Sequence, residues 1–218
     1  ITSNGEGNVK MLVQNYSNLT LGENMVLDGT SLSGTGRYVL SNNSGTVNIT
    51  ENASIIAKAG DIALDSCKFG SYDIPTVNVN TSGTIKGKLE VTGGELQIEK
   101  GAFTDLANAV KYANDGAIIK LAENTEGAGI FLAKGEKEIT IDFNEKTYTV
   151  NSAVGSTGTA SQAMHLEKGN KVLLKNGTIT SDGQEDGNVK MLVQNYSDLT
   201  LEDMNLDGRQ LIGAGTGR

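Results

Sequence analysis

Short alternating apolar triplets recur along the chain, and they most constrain what it can fold into. Leu19-Thr20-Leu21, Val47-Asn48-Ile49, Val77-Asn78-Val79, Leu96-Gln97-Ile98, Ile139-Thr140-Ile141, Val172-Leu173-Leu174 and Leu199-Thr200-Leu201 each place two apolar side chains on one face of a strand. A second short apolar segment follows many of them, as in Met25-Val26-Leu27, Ile55-Ile56-Ala57, Thr84-Ile85 and Tyr148-Thr149-Val150. A third often precedes: Met11-Leu12-Val13, Tyr38-Val39-Leu40, Ile62-Ala63-Leu64 and Ala163-Met164-His165-Leu166. Three strands in every ~20–33 residues is the period of a solenoid. So short a set cannot bury its own inward face and must lie on a neighbouring set. The 28 glycines and the single proline, with Asn, Thr and Ser throughout, suit many turns between short strands.

The connections favour stacked parallel coils over a sandwich of hairpins. Their lengths vary, as in "SLSGTGR" (31–37) and "NSAVGSTGTASQ" (151–162), where hairpins would call for tight two-residue turns. Asn15, Asn42, Ser66 and Asn195 occupy the same place after the first strand of their sets. Amides and hydroxyls stacked there can hydrogen-bond along the solenoid axis and satisfy the corner.

A longer repeat encloses the short one. "NVKMLVQNYSNLTL" at 8–21 returns as "NVKMLVQNYSDLTL" at 188–201, and Leu27-Asp28-Gly29 returns as Leu206-Asp207-Gly208. The segment between them is one residue shorter in the second copy and the segment after them two residues longer, the drift expected of a natural tandem duplication with a period of about 180 residues. The first residue is Ile1, which reads as a processed product or a fragment of a longer parent. Between the copies, "FTDLANAVKYANDG" (103–116) predicts an amphipathic helix, with Thr104 as N-cap, Leu106, Ala109, Val110 and Ala113 on one face, and Gly116 as the stop. Solenoid ends need such a lid. The expected organisation is therefore 1–101 as later rungs of one unit, 102–116 as boundary and capping helix, and 117–218 as early rungs of the next.

The helix, followed by "DGAIIKLAENTEGAGIFLAKGEKEITIDFNEKTYTV" and "KVLLKNGTIT", resembles the entry into domains of the pectin-lyase-like class. The resemblance covers 103–208, and 8–101 by rung pattern only. It implies an all-β fold, a right-handed parallel β-helix solenoid with a short amphipathic capping helix. Arrays of such domains are similar to the large repetitive surface proteins of gut Firmicutes. That likeness implies a secreted or wall-attached protein acting in adhesion, in binding of host protein such as immunoglobulin, or as a stalk. A carbohydrate-active enzyme, lyase or hydrolase, is the alternative that the same class implies.

Charge narrows the partners. The net charge of −8 is spread along the chain, and only Arg37, Arg209 and Arg218 are arginines, a poor basis for neutralising nucleic-acid phosphates. No apolar run approaches the ~20 residues that span a bilayer, so no membrane insertion is expected. Catalysis on this kind of frame needs paired carboxylates, or a base beside a cation. The candidates are Asp65 and Glu167 after first strands, Asp142 with Glu145 in one turn, and the duplicated Asp28 and Asp207. All of them read as solvated turn carboxylates, and no enzyme is expected. His165 lacks the companions of a zinc site or a triad and reads as a strand histidine. Cys67 is alone and reads as a small apolar residue. No cofactor is expected. "SDGQEDGN" (181–188) gathers Asp182, Glu185 and Asp186, either an acidic loop or a weak calcium site.

Binding leaves a fainter trace. Tyr16 and Tyr196 each stand between a corner amide and a serine, as Asn15-Tyr16-Ser17 and Asn195-Tyr196-Ser197. Such a tyrosine either packs along the rung corner or faces solvent as a contact residue for host protein or glycan. An open rung near Leu211 is expected to stack on another chain's start, near Tyr38 or Ile1, giving end-to-end self-association.

Overall fold

The computed structural model describes residues 1–212 and is all-β apart from one short helix, with its strands paired in parallel. The expected range 117–218 thus ends outside the described residues. The chain divides into two compact units, Ile1–Asp105 and a second that begins at Leu106.

The first unit contains β1 (Met11–Asn15), β2 (Leu19–Leu21), β3 (Val26–Asp28), β4 (Tyr38–Asn42), β5 (Thr46–Ile49), β6 (Ser54–Ile56), β7 (Ile62–Cys67), β8 (Thr76–Lys86), β9 (Lys88–Thr92) and β10 (Glu95–Phe103). The strands form consecutive sets of three, and each member pairs with its counterpart in the next set. β1, β4, β7 and β9 form one parallel ladder. β2, β5 and the first halves of β8 and β10 form another. β3, β6 and the second halves of β8 and β10 continue alongside. Register turns the apolar triplets into columns. Leu21, Ile49, Val79 and Ile98 stand in line, as do Leu27, Ile55, Ile85 and Phe103, and all eight are buried. Each column is one apolar position of the strand sets, piled on itself.

The second unit opens with α1 (Leu106–Lys111), then β11 (Ala113–Leu121), β12 (Thr125–Ala128), β13 (Ile130–Leu132), β14 (Glu138–Ser152), β15 (Gln162–Leu166), β16 (Lys171–Ser181), β17 (Met191–Asn195) and β18 (Asp198–Asp207). β11, β14, β16 and β18 run parallel, with β12 also on β14, while β13, β15 and β17 form a separate three-stranded sheet. Its columns include Ile119, Ile141, Leu174 and Leu201, and Tyr148, Ile179 and Leu206. The helix buries Leu106, Ala109 and Val110 against β11 and β13.

Two expectations needed revision. The helix is shorter than 103–116. Thr104 Oγ1 accepts the Gly87 N–H (2.9 Å), Asp105 Oδ2 accepts the Leu89 N–H (3.0 Å), and Ala113–Gly116 belongs to β11. Thr104, expected as the N-cap, is engaged by Gly87 instead, and the backbone at Gly116 takes φ +76° inside a strand. The second and third segments of several sets are also not separate strands. In β14, β16 and β18 they run on through a corner taken by left-handed residues: Asn144 and Glu145, Asn176, and Asp203. A left-handed residue turns the chain through a corner while the flanking ladder continues.

Candidate binding surface and titratable residues

Tyr16 lies at a corner that neighbouring strands hold rigid. Asn15 Nδ2 donates to Asn42 Oδ1 (2.8 Å) and Ser44 O (3.2 Å), and closes its own turn on the Ser17 carbonyl. Gln14 Nε2 donates to Tyr16 Oη (3.0 Å) and to Asn43 Oδ1 (2.9 Å), which fixes the phenol. Gly45 packs beneath; its φ is +71° and a Cβ there would strike the Ser17 backbone. The following loop then folds back over this corner, with Phe69 N–H donating to Asn43 O (3.4 Å) and Tyr72 N–H to Phe69 O (3.2 Å). Tyr16 meets Tyr72 at 5.3 Å between ring centroids and Phe69 edge-on at 6.1 Å. Tyr16, Phe69, Tyr72 and Ile74 nevertheless stay 40–55 % exposed. The arrangement is a preorganised aromatic patch on a stiff base, the chemistry of protein contact surfaces.

Below the patch, Asn43 Nδ2 donates to Cys67 O (3.0 Å), and Ser41 Oγ donates to Asp65 Oδ2 (2.7 Å). Asp65 is buried within β7, so the expectation of a solvated turn carboxylate is corrected. Burial pushes its pKa up, the Ser41 hydrogen bond opposes that, and the charge of Glu90 adds to it. Asp142 is likewise buried, inside β14, where Oδ1 accepts Asn144 N–H (2.8 Å) and Asn176 Nδ2 (3.2 Å). Its companion Glu145 serves the left-handed corner. Burial also pushes the Cys67 thiol up, helped by the charges of Asp65 and Glu90.

In the second unit Tyr196 receives the same bond from Gln194 Nε2 (3.0 Å), but its neighbours differ. Its ring lies 5.8 Å from His165, which stacks on Phe131 at 5.1 Å. His165 is buried in β15, as a strand histidine would be. Its Nε2 lies 2.8 Å from Glu167 Oε1, while Nδ1 has no partner among the described residues. The hydrogen bond from His165 lowers the Glu167 pKa. Asn195 is exposed and turns on its own serine, with Oδ1 accepting Ser197 N–H (3.0 Å) and Oγ–H (2.6 Å). Asp182 accepts the Gln184 N–H (3.0 Å). Among the described residues no three His, Cys, Asp or Glu side chains converge as metal ligands. An open groove of about 260 Å³ runs over Thr140, Leu173 and Thr200, edged by Glu138, Lys171, Asp198 and Glu202. The ladder sets Lys171 between Glu138 and Asp198, so opposite charges alternate along that edge.

Of the residues singled out from sequence, Tyr16 and Ser17 are exposed at one corner, whereas Asn15 is buried with its amide engaged by Asn42, Ser44 and Ser17 and is corrected to a structural role; Asn195, Tyr196 and Ser197 lie together at another corner. Phe69, Tyr72 and Ile74 were missed. Their signal was three large apolar residues inside a Gly/Ser/Pro segment, "KFGSYDIP" (68–75), where no alternation calls for them. Among the described residues no helix is long and apolar enough to cross a membrane. Comparison with protein-family models found no match, nor did comparison with curated proteins or with solved structures.

Proposed function

We propose that the chain is a non-catalytic display segment. Its strand triplets wind as a right-handed parallel β-helix of the pectin-lyase-like kind, in a secreted or wall-attached bacterial repeat protein that contacts host protein. The aromatic patch of Tyr16, Phe69 and Tyr72 carries the reading, because its rings are exposed yet held by Gln14 and the folded-back loop. Large rigid rings give contact area at small entropic cost, and repetition multiplies weak contacts. The titratable groups fit the same reading. Asp65 is engaged by Ser41, Asp142 by Asn144 and Asn176, and Glu167 by His165, in structural roles. Host immunoglobulin is the partner class we put first, ahead of mucin-type glycan.

The test is retention of serum immunoglobulin and of mucin glycans on immobilised chain, for the wild type and for Tyr16→Ala/Tyr72→Ala. Retention of immunoglobulin that the double variant weakens about tenfold or more supports the proposal. Retention of nothing reduces the segment to a spacer. Release of reducing or unsaturated sugars from pectin-like polymers would establish the enzymatic alternative instead.

A further inference from the structure

The outward face of the second unit's large sheet carries its charge in stripes, one sign to a strand. Ile139, Ile141, Val172 and Leu174 are buried in the core, so the residues alternating with them turn outward. β14 thus presents Glu138, Thr140 and Asp142, while β16 presents Lys171, Leu173 and Lys175. β18 presents Asp198, Thr200 and Glu202, and β11 adds Ile118 and Lys120. Register sets acid beside base along the face, Glu138 next to Lys171 and Asp142 next to Lys175. Yet among the described residues none of these charged side chains closes a salt bridge. Solubility alone does not call for the stripes. On the same face of the first unit, β2, β5 and β8 present Thr20, Asn48 and Asn78, flanked by Thr46 and Thr76, with no charge among them. The one change within the fourteen duplicated residues, Asn18 to Asp198, falls on this face and sets a carboxylate beside Lys171.

We infer that this face is an interaction surface for a second copy of the chain, joined through a two-fold axis that runs along the strands between β14 and β16. Rotation about that line lays β16 of one copy on β14 of the other, and β11 on β18. Lys171 then meets Glu138 of the second copy, Lys175 meets Asp142, and Lys120 meets Glu202. Leu173 lies over Thr140 and Ile118 over Thr200, an apolar centre between two charged margins. The open groove over Thr140 and Leu173 receives Leu173 of the second copy. Other placements fail. An axis lying on β14 or on β16 sets each stripe against itself, and an axis across the strands sets Glu138 on Asp142 and Lys171 on Lys175. β14 and β16 have strands on both sides, so the central pairs lie inside the sheet. Asp142 is already held by Asn144 and Asn176, and it contributes the sign of its charge more than a new bond. The contact is isologous and closes at a dimer. Four strands spaced ~4.8 Å apart make a face about 19 Å wide, small beside a standard interface, so the pairing is weak.

Sedimentation of the 218-residue chain over a concentration series tests this, with Glu138→Lys and Lys171→Glu as separate variants. The wild type is expected to dimerise near about 0.1 mM at low salt and to stop at twice the 22.8 kDa of one chain. Raising salt from about 0.05 M to about 0.5 M is expected to demand about tenfold more protein for the same dimer fraction. Each variant alone sets like charges face to face and is expected to stay monomeric at that concentration, with its melting temperature unchanged. An equimolar mixture of the two restores both opposite pairs and is expected to dimerise as the wild type does. Four results would overturn the inference: a wild type that stays monomeric at low salt, assembly that passes the dimer, single variants that dimerise undiminished, or a mixture of the folded variants that stays monomeric.

Discussion

Leu27 and Leu206 stand at the same point of one duplicated segment, and the protein uses them in opposite ways. Leu27 is sealed beneath Ile55, while Leu206 has a strand on one side and lies 40 % exposed. Tyr16 and Tyr196 diverge similarly. Each takes a hydrogen bond from the glutamine two residues before it, yet one joins Phe69 and Tyr72 and the other His165 and Phe131. Local sequence determines the strands and the corner. The neighbouring triplet determines what is core, what is surface and which aromatic cluster forms.

The largest effect that probes this contrast is a matched pair of truncations. Leu27→Ala is expected to cost about 2–5 kcal/mol in urea-induced unfolding, the range for a buried aliphatic side chain whose cavity cannot collapse. Leu206→Ala is expected to cost under about 1 kcal/mol. Equal costs would mean that the two copies share one environment, and the comparison would fail.

A smaller effect comes from carboxylates with opposite responses to pH. The Arg209 side chain beside Asp207 holds that carboxyl down at about 2. Its contribution is present above the ordinary carboxylate range and lost as pH falls through about 2. Asp65 behaves inversely, because burial raises its pKa and so favours the protonated form. Its contribution is present below the ordinary carboxylate range and lost as pH rises through the raised value. Thermal melts should therefore find Asp65→Asn above the wild type at pH 7, with the gap closing on acidification. Asp207→Asn should lie slightly below the wild type at pH 7, with its gap also closing in strong acid. A gap for Asp65→Asn that widens on acidification would contradict the assigned burial.

Much of this was legible in the residues. The apolar triplets fell into columns in register, buried wherever a parallel neighbour covers them on both sides. Asn15 and Asn42 hydrogen-bond across strands as the corner pattern implied. The corners at Asn144, Glu145 and Asp203 were not legible, because a left-handed residue turns the chain without leaving the strand, and Glu145 carries no turn signal. The helix was over-read, because Thr104 has cap chemistry but accepts the Gly87 amide, and because 113–116 begin β11. The candidate surface was half visible. Tyr16 stood out by position, whereas Phe69 and Tyr72 reach it across more than fifty residues of sequence through a loop with no period.

Amide hydrogen exchange, resolved by residue, tests the central claim most directly, since Lys-Met and Asn-Tyr are the same dipeptides in both copies and have equal intrinsic rates. Met191 and Tyr196 donate back to Ser161 O (3.1 Å) and Leu166 O (2.8 Å), whereas β1, which holds Met11, has no preceding strand among the described residues, and Tyr16 follows it directly. The Met191 and Tyr196 amides are expected to exchange at least about tenfold more slowly than those of Met11 and Tyr16. Equal protection of the two pairs, or slower exchange at Met11 and Tyr16, would contradict the claim that the same strand sequence takes its parallel neighbour on opposite edges in the two units.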